Sequence, residues 1–178
     1  QREIGLSAGE PPATRGYPPS TFSILARLLE RAGTAETGSV TGIYTVLVDG
    51  DDHNEPIADA ARSILDGHVV LDRKLAVTGH FPSVDVLGSV SRVASKVNSR
   101  PHLDAAATLR RVLAARKAAQ DLIDVGAYQA GTNPLVDAAL NHEHAVSGFL
   151  QQPMDESTAH PESWQRLGHL TSILGAAA

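Results

Sequence analysis

Residues Val40 to Val48 read Val-Thr-Gly-Ile-Tyr-Thr-Val-Leu-Val, a short, β-branched and almost continuously apolar run. Such a run suits a strand covered on both faces rather than one with a wet side. It ends in a polar loop, Asp49-Gly50-Asp51-Asp52-His53-Asn54. A helix is expected from about Glu55 to Asp66, with Ile57, Ala61, Ile64 and Leu65 facing inward and Gly67 as its stop. His68-Val69-Val70-Leu71 then reads as a second short strand. Strand, helix, strand in this rhythm is a crossover unit, which implies a parallel sheet and an α/β fold.

Upstream, residues 9 to 19 hold four prolines in Gly-Glu-Pro-Pro-Ala-Thr-Arg-Gly-Tyr-Pro-Pro. Each removes a donor and fixes its own backbone angle, so the stretch is an ordered loop. Phe22, Leu25, Leu28, Leu29 and Ala32 follow at helical spacing, with Gly33 as the stop. After about Asn98 the strand signal disappears. Leu103, Leu109, Val112, Leu113, Leu122 and Ile123 mark helical periodicity, Gly126 to Pro134 is a turn region, and two further helices are expected at Leu135 to Leu150 and Pro161 to Leu174. The expected organisation is an α/β domain over 1–98 and an all-helical domain over 99–178.

With 42% hydrophobic residues in 178, the chain can bury a real core. Fifteen Lys and Arg against twenty Asp and Glu, a formal charge of −5, argue against a nucleic-acid surface. The absence of cysteine excludes disulfides, thiolate metal sites and cysteine nucleophiles, and fits a reducing compartment. No apolar run approaches the roughly 20 residues of a membrane span. No phosphate-cradling Gly-x-x-x-x-Gly-Lys-Ser/Thr loop and no Gly-x-Ser-x-Gly elbow occurs. His142 and His144 fall on different sides of a helix, so no metal site is expected there. The acidic loop lacks the glycine and glutamate placement of a calcium-binding EF-hand.

Three segments carry a more specific signal: Gly-Glu-Pro-Pro-Ala-Thr-Arg-Gly-Tyr-Pro-Pro-Ser from Gly9, Gly-Asp-Asp-His-Asn-Glu-Pro-Ile-Ala-Asp from Gly50, and Gly79-His80-Phe81-Pro82-Ser83-Val84-Asp85-Val86-Leu87-Gly88-Ser89-Val90-Ser91-Arg92. Together they resemble the type III secretion ATPases, relatives of the rotary F-type catalytic subunit, in order from Gln1 to about Leu150. The resemblance implies the C-terminal half of a RecA-like P-loop NTPase core followed by a helical domain. It implies a homo-hexameric ring with ATP and Mg2+ between neighbouring subunits, around a central-stalk protein. Export chaperones and their substrates would dock on the helical domain, and the ring would sit in the cytoplasm, peripheral at an inner-membrane export gate. The phosphate loop, the magnesium-holding aspartate and the water-positioning glutamate would lie upstream of Gln1, so this chain alone is expected to be catalytically silent.

Residue by residue, the resemblance places Phe81 where the family usually has the tyrosine that stacks on adenine. Tyr128, in Gly126-Ala127-Tyr128, falls in a second loop lining that pocket, with packing at the helix turn an equally good reading. Tyr17 falls in a loop bordering the catalytic site. Arg92, ending Ser89-Val90-Ser91-Arg92, matches the arginine that crosses to the neighbour's γ-phosphate. Asp52, Asn54 and Glu55 match a loop that touches the central stalk, where His53 replaces the usual methionine. Gly-Ala-Tyr with Ala127 looks closer to flagellar than to virulence-injectisome members, where Glu is usual. Two other readings stand beside this one: a chaperone-binding module without catalysis, and a non-catalytic regulatory ring subunit, which also carries a Ser-Val-Ser-Arg segment.

Overall fold

Several helices in the computed structural model, which describes residues 1–176, begin where the sequence supplies a rigid or capping residue. After a short α1 (Arg2–Ser7), α2 (Pro19–Leu29) opens on Pro19, whose missing N–H and fixed φ suit the first helical turn. Glu10 reaches forward to accept the Ser20 N–H at 3.1 Å. β1 (Gly33–Thr34) and β2 (Ser39–Val40) form a minimal antiparallel pair, Gly33 opposite Val40 and Thr34 opposite Ser39. The helix α3 (Pro56–Ile64) again has proline in its first turn, and the Glu55 carboxylate caps it by accepting the N–H groups of Ile57 and Ala58 at 2.9 and 3.1 Å. Within this first unit, Gln1–His68, α2 packs against α3 with Leu29, Ala58 and Ala61 buried.

The strand expected over Val40 to Val48 is not formed beyond Val40. Ile43 and Leu47 are 93% and 89% exposed, and among the described residues no strand pairs with 41–48. A strand exists only as part of a ladder, so β-branched sequence without a hydrogen-bonding neighbour stays irregular. The crossover pair expected between this run and His68–Leu71 is likewise not formed. The second strand is present as β3 (Gly67–Leu71), and it pairs instead with β4 (Val84–Ser91), a strand not expected from the sequence.

The division between the two units falls within β3. In the second unit, α4 (Arg73–Val77) is capped by Asp72, which accepts the Lys74 N–H at 2.8 Å. It is closed by Gly79 at φ +77°, with the His80 N–H returning to the Leu75 carbonyl. After β4 come α5 (Ala94–Val97), the long α6 (Arg100–Ala118) and α7 (Gln120–Asp124), then α8 (Pro134–Asn141), α9 (Glu143–Leu150) and α10 (His160–Ala176). The single helix expected over Leu135 to Leu150 is therefore broken at His142, whose backbone leaves the helical region at φ −115° and ψ 24°. Leu109 and Val112 of α6, Ala138 and Ala139 of α8, Val146 of α9, and Leu167, Leu170 and Leu174 of α10 form one buried core. The three α10 leucines recur at i, i+3 and i+7, so one stripe of that helix carries its anchorage. Residues 177 and 178, the end of the expected helical domain, lie outside the described residues. No helix among the described residues is long and apolar enough to cross a membrane.

Candidate functional site

Phe81 sits between the closing turn of α4 and the start of β4, joined to Pro82 by a cis peptide bond. The residue is 55% exposed. Its backbone is fixed, because the Phe81 carbonyl accepts the N–H of Gln152 at 2.9 Å, from the segment that follows α9. An exposed aromatic face on an anchored backbone is suited to stacking on a flat ligand rather than to filling a core. The Gln152 contact had no signal in the sequence, since it joins a loop to a helix end seventy-odd residues later through main-chain atoms alone.

Downstream of Phe81, β4 is locked along its own length. Asp85 Oδ1 accepts the N–H groups of Leu87 and Gly88 at 2.9 and 3.0 Å. Ser89 Oγ donates to the Asp85 carbonyl at 2.6 Å and accepts the Val70 N–H of β3 at 3.0 Å. A side chain at position 88 would place its Cβ 2.9 Å from Asp85 Oδ2, so any residue but glycine would push the Asp85 carboxylate from its place. From α6, Arg110 donates to the carbonyls of Val86, Leu87 and Ser89, and Lys117 lies 3.9 Å from Asp85. Arg92 is exposed immediately beyond this braced stretch.

Tyr128 is half-buried in the turn before α8. Its hydroxyl accepts the Asn133 N–H at 3.2 Å and lies 3.0 Å from Asp137 Oδ1 and 3.1 Å from the Asn133 carbonyl, either of which can take its proton. Asp137 Oδ2 in turn accepts the Gly131 N–H at 2.8 Å. Loss of water around the phenol, and then the hydrogen bond to the Asp137 carboxylate, push its pKa above the ordinary 10.0. The hydroxyl is thus spent on the turn, leaving the ring for any further contact. No ring contact joins Phe81 to Tyr128 among the described residues.

In the first unit, the proline-rich loop closes on itself through Ala13 N–H to the Tyr17 carbonyl and Tyr17 N–H to the Thr14 carbonyl. Tyr17 meets Phe22 edge-on with centroids 6.2 Å apart, and the Arg2 guanidinium lies 5.2 Å from its ring centre. Arg15 occupies the left-handed region at φ 48°, which costs a residue with a Cβ about 1–2 kcal/mol. That backbone carries its guanidinium to Asp52, with N–O 2.8 Å. The Arg15 hydrogen bond, and then the Asn54 N–H, hold the Asp52 carboxyl below its ordinary 3.8. Two residues of the acidic turn are therefore already engaged: Asp52 by Arg15 and Glu55 by the head of α3, while Asn54 is exposed. Arg15 was not a candidate on sequence, since an arginine thirty-seven positions from its partner has no pattern to betray the pairing. Among the described residues no group of three or more His, Asp or Glu side chains is arranged to hold a metal ion.

A chain with an exposed phenylalanine before a braced strand, an exposed arginine just after that strand, and a helical core downstream has known counterparts. Residues 1–91 match the model of the ATP synthase alpha/beta family, nucleotide-binding domain, and the chain belongs to that family. Residues 98–169 match the EscN ATPase C-terminal domain of type III secretion systems. The chain is 53% identical to the flagellum-specific ATP synthase of Bacillus subtilis (strain 168) over 175 residues, 98% of this chain and 39% of that protein. Among solved structures, the assembled ATPase EscN of the enteropathogenic E. coli type III secretion system superposes with a TM-score of 0.91 at 43% identity, covering 96% of this chain and 41% of that one. The same ATPase in complex with its central stalk EscO gives 0.84 at 42%, covering 96% and 40%. The chain thus spans about two fifths of the length of the relatives it matches.

Proposed function

We propose that the chain is part of a homo-hexameric ATPase that hydrolyses ATP to energise flagellar, type III protein export. Its share of the site is an adenine-side surface and an arginine that serves the neighbouring subunit. ATP with Mg2+, when bound, supplies the phosphoryl group and the metal that neutralises its charge; the chain has no phosphate loop of its own and would not turn over ATP by itself. Phe81 offers its exposed side chain to the base, with the Tyr128 ring as a further border. Phe keeps the stacking face that Tyr would have and lacks only the hydroxyl.

The observation that carries this reading is Arg92 standing exposed at the end of a strand braced by Asp85, Ser89 and Arg110. A planar, permanently charged group on a rigid support is what stabilises charge growing on a transferring phosphoryl group, because it needs no reorganisation at that moment. The acidic turn with Asp52, Asn54 and Glu55 suits a central stalk like the one seen with EscN, and Arg15 sets its outline. The helical domain would receive chaperone-bound substrates at the ring's peripheral position on the membrane export gate. A groove of about 420 Å³ lined by Phe149, Leu170 and Ile173, rimmed by Glu156, Arg166 and His169, is available there. Flagellar rather than injectisome membership rests on Ala127 and on the Bacillus relative. Steady-state turnover of the full-length Arg92→Ala ring is the test: a loss of about 10³-fold or more is expected, and lysine at 92 should not restore it. A loss under about tenfold with the ring assembled would refute the role.

A further inference from the structure

We propose that Arg110 is the positioning residue for Arg92, fixing from α6 the direction in which β4 delivers it. This rests on the reading of Arg92 as the cation that serves the neighbouring subunit.

One Arg110 nitrogen, Nη1, donates to the Val86 carbonyl at 2.7 Å and to the Ser89 carbonyl at 3.3 Å, while Nη2 donates to the Leu87 carbonyl at 3.3 Å. In a regular strand successive carbonyls point to opposite sides, so three from residues 86, 87 and 89 cannot converge on one group. They converge here because Asp85 pulls the Leu87 and Gly88 N–H groups toward its carboxylate, and because Gly88 has no Cβ to prevent it. The guanidinium then fills the concave side of that bend. Its fixed fork of donors suits several acceptors at once, and each bond gains from the positive charge.

The far side of this clamp is equally rigid. Leu109 and Val112, beside Arg110 on α6, are buried in the helical core against α8 and α10. Two turns along, Lys117 reaches Asp85, so α6 holds β4 at two points on one stripe. Packing thus passes from the helical core through Arg110 to Ser89, and Arg92 follows only three residues later. An arginine that must meet a transition state in another subunit tolerates little misplacement, and displacement by about 1 Å can cost on the order of 10²-fold in rate.

The full-length protein decides it in a double-mutant cycle of Arg92→Ala and Arg110→Ala, with single-turnover rates, the KM for ATP and amide exchange measured on the same rings. Arg110→Ala should lower the rate about 10- to 100-fold with KM changed less than about threefold, and Arg110→Lys, with one donor nitrogen, should recover only part. In the Arg92→Ala background the same change should cost less than about twofold. An equal loss in both backgrounds would show a general structural role and overturn the proposal. Should Arg110→Ala fail to assemble, Arg110→Lys takes its place in the cycle, and its smaller loss must likewise vanish without Arg92. If Arg92→Ala itself keeps more than about a tenth of the rate, the cross-subunit role fails on its own account. Exchange still judges the clamp: faster exchange at 87–91 in Arg110→Lys, with 167–174 unchanged, sustains it, and unchanged exchange at 87–91 overturns it.

Discussion

Residues 40–48 are an almost continuously apolar, β-branched run and residues 84–91 are interrupted by Asp85, Gly88, Ser89 and Ser91, yet only the second is a strand along its whole length. The first exposes Ile43 and Leu47 almost completely. The second is paired with β3, folded over Asp85 and held by Arg110. β-propensity states that a segment fits a pleated surface; neighbours decide whether there is one. The consequence for the site is that Arg92 follows a held segment, whereas the acidic turn after 40–48 is shaped by local bonds: the Arg15–Asp52 ion pair, the Asn54 N–H on Asp52, Arg62 on the His53 carbonyl and the Glu55 helix cap.

The contrast can be broken most strongly at the core behind β4. Leu174 is fully buried, so Leu174→Ala should cost about 2–5 kcal/mol in urea unfolding. Ile43→Ala in the same chain should change stability by less than about 0.5 kcal/mol. Equal losses would mean that 40–48 is packed after all.

Phe81 heads the braced segment, and its exposed ring should matter to ligand more than to folding. In the full-length protein Phe81→Ala should weaken nucleotide binding by about 1–3 kcal/mol, and Phe81→Tyr should not. Equal affinities by calorimetry would return Phe81 to a packing role.

At the other polar turn, Glu55→Ala removes the cap of α3 and should cost about 1 kcal/mol, whereas Asn54→Ala, exposed at the same turn, should cost far less. Combined with Asp52→Ala it should leave basal hydrolysis close to normal and abolish stimulation by the stalk protein. Stimulation that survives would make the turn a solvated loop with a helix cap.

The smallest effect is in pH. Arg15 lowers the Asp52 pKa below 3.8, so this pair adds stability above that pH and loses it as pH falls through the lower folded value. Carboxyl chemical shifts should show Asp52 titrating at higher pH in Arg15→Ala than in the unaltered chain. An unchanged titration would remove Arg15 as the cause.

Much of this was legible in the sequence where a single residue type acts locally. The helix expected from about Glu55 is present as α3, though it ends at Ile64 and Gly67 opens β3 instead of stopping it, and the stretch Pro161 to Leu174 lies within α10, which its leucine stripe anchors. The break at His142 was not, because neither proline nor glycine marks it. Nor was β4 visible as a strand, since Asp85, Gly88 and the two serines break its apolar run and its support comes from Arg110, twenty-odd positions away. Of the candidate site, the aromatic and the arginine were found through the order of the motifs. Their supports, Gln152 for Phe81 and Arg110 for β4, are contacts between segments distant in sequence and leave no periodic trace.

The central claim, that Arg92 works in a site other than its own subunit's, is tested most directly by mixing. Full-length Arg92→Ala subunits are combined with subunits whose phosphate loop has been disabled, and turnover is measured in the mixed rings. Activity should reappear, because some interfaces then pair an intact arginine with an intact loop. Mixed rings as silent as either parent, with assembly and nucleotide binding intact, would contradict it.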